Sequence, residues 1–334
     1  AVFPAFGGIR EQAVVCIRFI PPPAYEYLEK QGGFGLIKHI ISIRDLDRGE
    51  IDAILEQAGR IRTRGFSPRA LEGKILALLF FEPSTRTRMS FEVAMARLGG
   101  TSVGVDSVEA SSMSKGETLA DTIRVVSGYV DTIVLRHPKE GAARLAGEFA
   151  TVPVINAGDG AGQHPSQTLL DLYTIRQSMP LDGVNVGLLG DLRYGRTAHS
   201  LAYALSLYHA TLHTISPKGL ELPGALFNEL RSEGTKVIEH HDVADVIDDL
   251  DVLYVTRIQR ERFPDSSSYF AVASSYRVTP ELLAGAKPHL VVLHPLPRLD
   301  EIDPRVDQLP YARYFEQSRN GIPVRMAMLQ KVMQ

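Results

Sequence analysis

The chain has 334 residues, 44% of them apolar, enough at roughly 150 residues per domain for two domains with buried cores. Its 36 basic and 39 acidic residues give a net charge of −3, so no global field draws it to nucleic acid or to an acidic membrane, and any anion site has to be local. One cysteine, Cys16, excludes an internal disulfide and a cysteine-rich metal site and fits a reducing, cytoplasmic setting, while the longest strongly apolar run, Ile75 to Phe81, is too short to span a bilayer.

Residues 1–37 carry Pro21-Pro22-Pro23 and a Gly32-Gly33-Phe34-Gly35 cluster without sustained periodicity. They read as an extension, an upstream in-frame translation or a loose tail. A transit peptide would carry more arginine and serine than this stretch, which has no serine. From Ile40 the pattern is regular. Ser42 or Asp47 can cap a helix whose apolar positions Ile51, Ile54, Leu55, Ala58 and Ile61 recur at helical spacing. Apolar runs at Ile75–Phe81, Ser102–Val105, Thr132–Leu135 and Val152–Ile155 then alternate with helical patterns, among them Leu119, Ile123, Val126 and Val130. A helix from His164 to Met179, opened by Pro165 and closed before Pro180, connects to a second series. That series has strands expected at Val184–Leu189, Thr211–Ile215, Lys236–Glu239, Val252–Val255 and Leu290–Leu293. Strands alternating with helices predict an α/β chain of two doubly wound parallel-sheet domains.

Chemistry-bearing residues cluster where these strands end. Glu82-Pro83-Ser84-Thr85-Arg86-Thr87-Arg88 follows an apolar strand and opens a helix, so free backbone N–H groups, two hydroxyls and one or two guanidinium groups make a phosphate site without a Walker loop. The plainer alternative is a Ser/Thr cap with solvated arginines. Arg136-His137-Pro138 ends the strand Thr132–Leu135, where an arginine could equally be a salt-bridge partner. His164 and Gln167 lie three apart at a helix start and face one space, the histidine as a neutral hydrogen-bond donor or merely as a cap. Gly158-x-Gly160-x-Gly162 lacks the dinucleotide-binding spacing. Gly190-Asp191-Leu192-Arg193-Tyr194-Gly195-Arg196 and Thr256-Arg257-Ile258-Gln259 repeat the arrangement in the second half, with Arg196, Arg257 and Gln259 at strand ends. His294-Pro295-Leu296-Pro297 ends the last strand with an extended backbone whose free carbonyls suit an NH₂ donor. No cluster supplies a metal-ligand set or a nucleophile–base pair, and the arginines suit a ligand with at least two negative charges in a cleft between the domains.

These segments, together with Ser114-Lys115-Gly116-Glu117-Thr118, occur in the order found in the aspartate carbamoyltransferase family, whose catalytic chains this sequence resembles over residues 38–334. The ornithine branch carries a cysteine where Pro295 stands here. The resemblance implies domains at 38–164 with a C-terminal helix 318–334, binding carbamoyl phosphate, and at 165–317, binding L-aspartate. It implies that Ser84, Thr85, Arg86 and Thr87 cradle the phosphate. Thr87, Arg136 and His164 would polarise the carbonyl, and Gln167 with the carbonyls of Leu296 and Pro297 would hold the NH₂. Arg196, Arg257 and Gln259 would bind the aspartate carboxylates. Lys115 would reach a neighbouring subunit's site from a loop whose serine is Ser111, with Ser112 left open by a one-residue length difference. Glu82, with Arg196 and Arg262, would favour domain closure. No cofactor or metal is implied. The product would be N-carbamoyl-L-aspartate, for pyrimidine synthesis, made by a homotrimer with shared sites, and a regulatory chain stays open. A transcarbamoylase for another amine and a catalytically silent relative are the competing readings.

Overall fold

The computed structural model describes residues 38–105, 107, 112–258 and 276–334. Ser42 and Asp47 both cap. Ser42 closes a capping box on the short 3₁₀ turn Ile43–Asp45, and Asp47 closes another, with Glu50, on helix α1 (Arg48–Arg64). Four parallel strands follow, β1 (Ile75–Phe80), β2 (Thr101–Val105), β3 (Thr132–His137) and β4 (Val154–Asp159), in the order β2-β1-β3-β4. Helices α2 (Thr85–Arg97), α3 (Leu119–Ser127) and α4 (Ala142–Phe149) make the crossovers. The side-chain period of two divides the strands cleanly. Leu76, Leu78 and Phe80 face a core that includes Ile51, Ile54 and Leu55 of α1 and Phe91 of α2, while Ala77, Leu79 and Phe81 meet Ile123 of α3 and Ala143 and Ala146 of α4.

Helix α5 (Pro165–Arg176) leads to the second sheet and ends three residues before the Met179 expected from Pro180. Strands β5 (Asn185–Leu189), β6 (Thr211–Ile215), β7 (Lys236–His240), β8 (Val252–Val255) and β9 (Val291–Leu293) pair in parallel in the order β7-β6-β5-β8-β9. Helices α6 (Arg196–Ser206), α7 (Gly224–Ser232) and the single turn α8 (Pro280–Leu283) lie between them. The last helix, α9 (Tyr314–Met333), begins four residues before the expected 318 and packs against α1, α2 and α5. One continuous core runs from Leu78 in the first sheet through Leu169 and Leu172 of α5 and Met326 and Leu329 of α9 to Leu188 and Tyr254 in the second. The two sheets are thus joined by shared apolar packing as well as by chain connection.

Strand order reverses between β1 and β3 in the first sheet and between β5 and β8 in the second. Open α/β sheets leave a crevice beyond the carboxyl ends of strands at such a point, because the flanking helices depart to opposite faces. Among the described residues no helix is long and apolar enough to cross a membrane.

Candidate active site

At the first reversal, β1 ends at Phe80 and the backbone N–H of Phe81 bonds the carbonyl of Arg136 at 2.9 Å, locking the two strand ends together. Ser84 is the N-cap residue of α2, yet its hydroxyl makes no capping bond. The plain capping role therefore does not account for it, and the first turn of α2 keeps free N–H groups and a positive dipole end facing the crevice. Thr87 is buried and Arg86 exposed on that turn, and burial of part of its side chain lowers the pKa of Arg86.

Arg136 lies within β3, paired with Phe80, and is 8% exposed. Its Nη1 donates to the carbonyl of Ala157 at 3.0 Å and its Nη2 to Glu82 Oε1 at 2.9 Å, while the buried Nε has no partner among the described residues. Burial, with Arg196 as a second cation, brings its pKa down to about 10, so the guanidinium stays charged at neutral pH. Arg196 opens α6 at the second reversal. It donates to the carbonyl of Gly160 at 2.5 Å and approaches Glu82 Oε1 at 3.4 Å. Glu82 therefore links arginines from both sheets.

The strand expected to stop at Ile155 runs on to Asp159, because Asn156 finds tertiary partners that a local pattern cannot show. Its Nδ2 donates to the carbonyl of Ile41 and to Asp159 Oδ1, both at 2.9 Å, and its Oδ1 accepts the N–H of Gly158 at 2.7 Å. Gly158 has φ +110°, and a Cβ there would lie 3.1 Å from Arg136 Nη1 and 3.2 Å from both Arg196 Cζ and His164 Cδ2. That one glycine marks where the three side chains converge, and its missing Cβ is the condition for it.

His164 is the N-cap residue of α5 but makes no side-chain cap. Its ring is buried, with the Ser166 hydroxyl 3.3 Å from Nδ1. Burial, reinforced by Arg196, Arg136 and Arg325, holds its pKa well below the usual imidazole range, so it is neutral at pH 7. Gln167 donates its amide N–H to Asp171 Oδ1 at 2.8 Å, which leaves its Oε1 as an acceptor. After β9, His294 Nδ1 accepts the N–H of Leu296 at 2.8 Å, and Leu296 has the positive φ of 57° before a cis bond to Pro297.

A cavity of about 630 Å³ is walled by Ser84 to Thr87, Arg136, His164, Gln167, Arg196 and His294 to Pro297. Gln317, Arg319 and Arg325 of α9 also line it. Arg325 is buried, its pKa brought down to about 10 by burial, and its guanidinium stacks 5.1 Å from the Phe91 ring centre. Sequence reading missed Arg325, Asp171 and Gln317, which sit inside helices with no strand-end motif. Lys115, exposed in the 3₁₀ turn Ser112–Lys115, and Arg257, half-buried just after β8, are not among the cavity walls. Ser111, Gln259 and Arg262 lie outside the described residues. Among the described residues no group of three or more metal-ligating side chains occurs.

Two facing switch points with a cationic, acceptor-lined cavity between them define a two-lobe α/β protein shaped for a compact polyanion. Residues 38–177 match the model of the aspartate/ornithine carbamoyltransferase carbamoyl-P binding domain, and residues 182–332 match that of the Asp/Orn binding domain. The chain belongs to the aspartate/ornithine carbamoyltransferase family. It is similar to the aspartate carbamoyltransferase catalytic subunit of Methanosphaerula palustris, with 74% identity over 296 residues, 89% of this chain and 99% of the relative. The solved catalytic subunit of M. jannaschii aspartate transcarbamoylase is 53% identical with a TM-score of 0.84, covering 89% of this chain and 98% of that one. Aspartate transcarbamoylase from Trypanosoma cruzi, in complex with carbamoyl phosphate and aspartate, is 39% identical with a TM-score of 0.83, covering 89% and 96%.

Proposed function

We propose that this cavity binds carbamoyl phosphate and L-aspartate and catalyses carbamoyl transfer to the aspartate α-amine, giving N-carbamoyl-L-aspartate and phosphate. The observation that carries this reading is the convergence of Arg136, Arg196 and neutral His164 around Gly158, beside the uncapped first turn of α2. The phosphate sits on that turn, held by Ser84, Thr85, Arg86 and Thr87. The carbonyl oxygen faces Thr87, Arg136 and His164. In the tautomer in which His164 Nδ1 accepts the Ser166 hydroxyl, Nε2–H is the donor offered to the substrate. Gln167 Oε1 and the carbonyls of Leu296 and Pro297 accept the carbamoyl NH₂. Arg196, Arg257 and Gln259 hold the aspartate carboxylates, and Glu82 with Arg196 and Arg262 draws the lobes together.

The neutral α-amine attacks the carbonyl carbon. Negative charge builds on oxygen, where Arg136, His164 and Thr87 stabilise it without reorganising. The C–O bond to phosphate then breaks as the C–N bond is completed, and the departing phosphate takes the amine proton. Orientation of two anions in one charged cavity provides most of the acceleration, with no covalent enzyme intermediate.

We assign residues 38–164 with the closing helix to the carbamoyl-phosphate lobe, supported by the packing of α9 on α1 and α2, and residues 165–317 to the aspartate lobe. Lys115 and the loop serine, Ser111, complete the site of a neighbouring subunit in a homotrimer. What supports this is the position of Lys115, exposed and away from its own chain's cavity walls. The single cysteine supports a cytoplasmic, reducing location. N-(phosphonacetyl)-L-aspartate, found in complex with the T. cruzi enzyme, joins a phosphonate to the aspartate dicarboxylate and tests the reading. Calorimetry is expected to show saturable binding at one molecule per chain, abolished by excess carbamoyl phosphate. Absence of binding, or binding that carbamoyl phosphate leaves untouched, would overturn the assignment.

A further inference from the structure

The two acceptors assigned to the carbamoyl NH₂ come from distant parts of the chain, Gln167 on α5 and the Leu296–Pro297 carbonyls after β9, and a buried network joins them. Asp171, one helical turn beyond Gln167 and fully buried, accepts Gln167 Nε2 on Oδ1 at 2.8 Å. The same oxygen accepts Gln317 Nε2 from α9 at 2.6 Å, and Oδ2 accepts the Tyr254 hydroxyl from β8 at 2.9 Å. Gln317 in turn accepts the backbone N–H of His294 on its Oε1 at 2.8 Å. Because His294 Nδ1 accepts the Leu296 N–H, its proton sits on Nε2, which donates to Glu301 Oε1 at 2.7 Å. A carboxylate oxygen at the centre thus fixes two amide groups, and the second amide fixes the loop that presents the carbonyls.

We propose that Asp171, acting through Gln167, Gln317 and His294, is the positioning residue that aims both NH₂ acceptors and so makes the site select carbamoyl phosphate over an acyl phosphate of the same shape with methyl in place of NH₂. The inference rests on the function proposed above. Rotating the Gln167 amide by half a turn would point its own NH₂ at the substrate's NH₂. Asp171 Oδ1, an acceptor shared by two donors, forbids that rotation. Protonation does not undo this. Burial pushes the Asp171 carboxyl up to about 7 against the hydrogen bonds it accepts, and a proton on Oδ2 beside the Tyr254 oxygen leaves Oδ1 an acceptor. Asparagine can do the same with its oxygen at the Oδ1 position, and leucine cannot. A site built to hydrogen-bond a substrate N–H rejects analogues lacking it because its own polar groups are then left unpaired, and that rejection depends on the acceptors being held in place.

The test uses the full chain in its native assembly and measures KM for carbamoyl phosphate beside inhibition constants for acetyl phosphate and inorganic phosphate. In Asp171→Leu and Gln317→Leu the carbamoyl phosphate KM is expected to rise at least ~10-fold, with acetyl phosphate and phosphate inhibition within about 3-fold of wild type. Asp171→Asn is expected to restore most of the loss seen in Asp171→Leu. A parallel shift for all three ligands, as a purely structural role would give, overturns the inference, and so does a leucine variant that keeps wild-type selectivity. Should Asp171→Leu fail to fold, Gln317→Leu decides alone. A wild-type chain that does not carbamoylate aspartate would instead remove the function on which the inference rests, and that outcome is read without any variant.

Discussion

Arg86 and Arg136 divide between them what the cavity asks of cations. Arg136 is buried and already engaged by Glu82 and the Ala157 carbonyl, so it enters the reaction oriented, and only its remaining donor capacity faces new partners. Arg86 is exposed at the start of α2 with no such hydrogen bond among the described residues, and the proposed function has it close on the phosphate. Removing a donor that meets developing charge costs two to three orders of magnitude in other acyl-transfer sites. Arg86→Ala is therefore expected to lose at least ~2.7 kcal/mol of transition-state stabilisation, read as kcat/KM with saturating aspartate. Near-normal turnover in that variant would contradict its role on the phosphate. His164 belongs to the same logic, since a cation there would add a third charge to Arg136 and Arg196, and burial keeps the ring neutral.

At the level of elements, most of the frame was legible because each strand is a short apolar run and each helix repeats at its own period. β5, β8 and β9 match the expected runs at their C-terminal ends, where site residues depart. The misreadings have a common physical origin. β4 continues through Asn156 to Asp159 because Ile41, far away in sequence, satisfies the Asn156 amide, and a local pattern contains no such partner. α5 is buried from Pro165 to Ile175 although Gln167, Thr168, Asp171 and Thr174 are polar, since Gln167 and Thr168 bond to Asp171 and the His164 carbonyl, while α9 and β8 supply partners for Asp171 and α9 for Thr174. Asp171 and Gln317 are 146 positions apart, so nothing in either segment announces the pair. A signal did exist in the spacing, with Asp171 one turn after Gln167 on the same helix face. The strand-end arginines were found because topology fixes where strand ends go, whereas groups that support the site from inside helices need the packing to be known. For the same reason Gly158 read as part of a failed dinucleotide motif, while its φ of +110° shows it as the point on which three side chains close.

For the whole molecule, the arrangement of two sheets about a shared core explains why a chain of net charge −3 can hold two anions. Arg86, Arg136 and Arg196 stand at the two switch points and line one cavity, with Glu82 as a counter-charge to Arg136 and Arg196. Lys115 stands apart from this cavity, so the trimer proposal has a sharp consequence. Chains carrying Lys115→Ala and chains carrying His164→Ala, each inactive alone, are expected to recover part of the activity when reassembled together, because some sites then receive both native groups. A verified mixed trimer without activity would rule out sharing between subunits. The central claim concerns the reaction itself, and the direct measurement is product analysis of the purified chain with carbamoyl phosphate and a panel of amines. N-carbamoyl-L-aspartate and phosphate are expected in equal amounts with L-aspartate and no product with ornithine, while product with ornithine and none with L-aspartate would contradict the account.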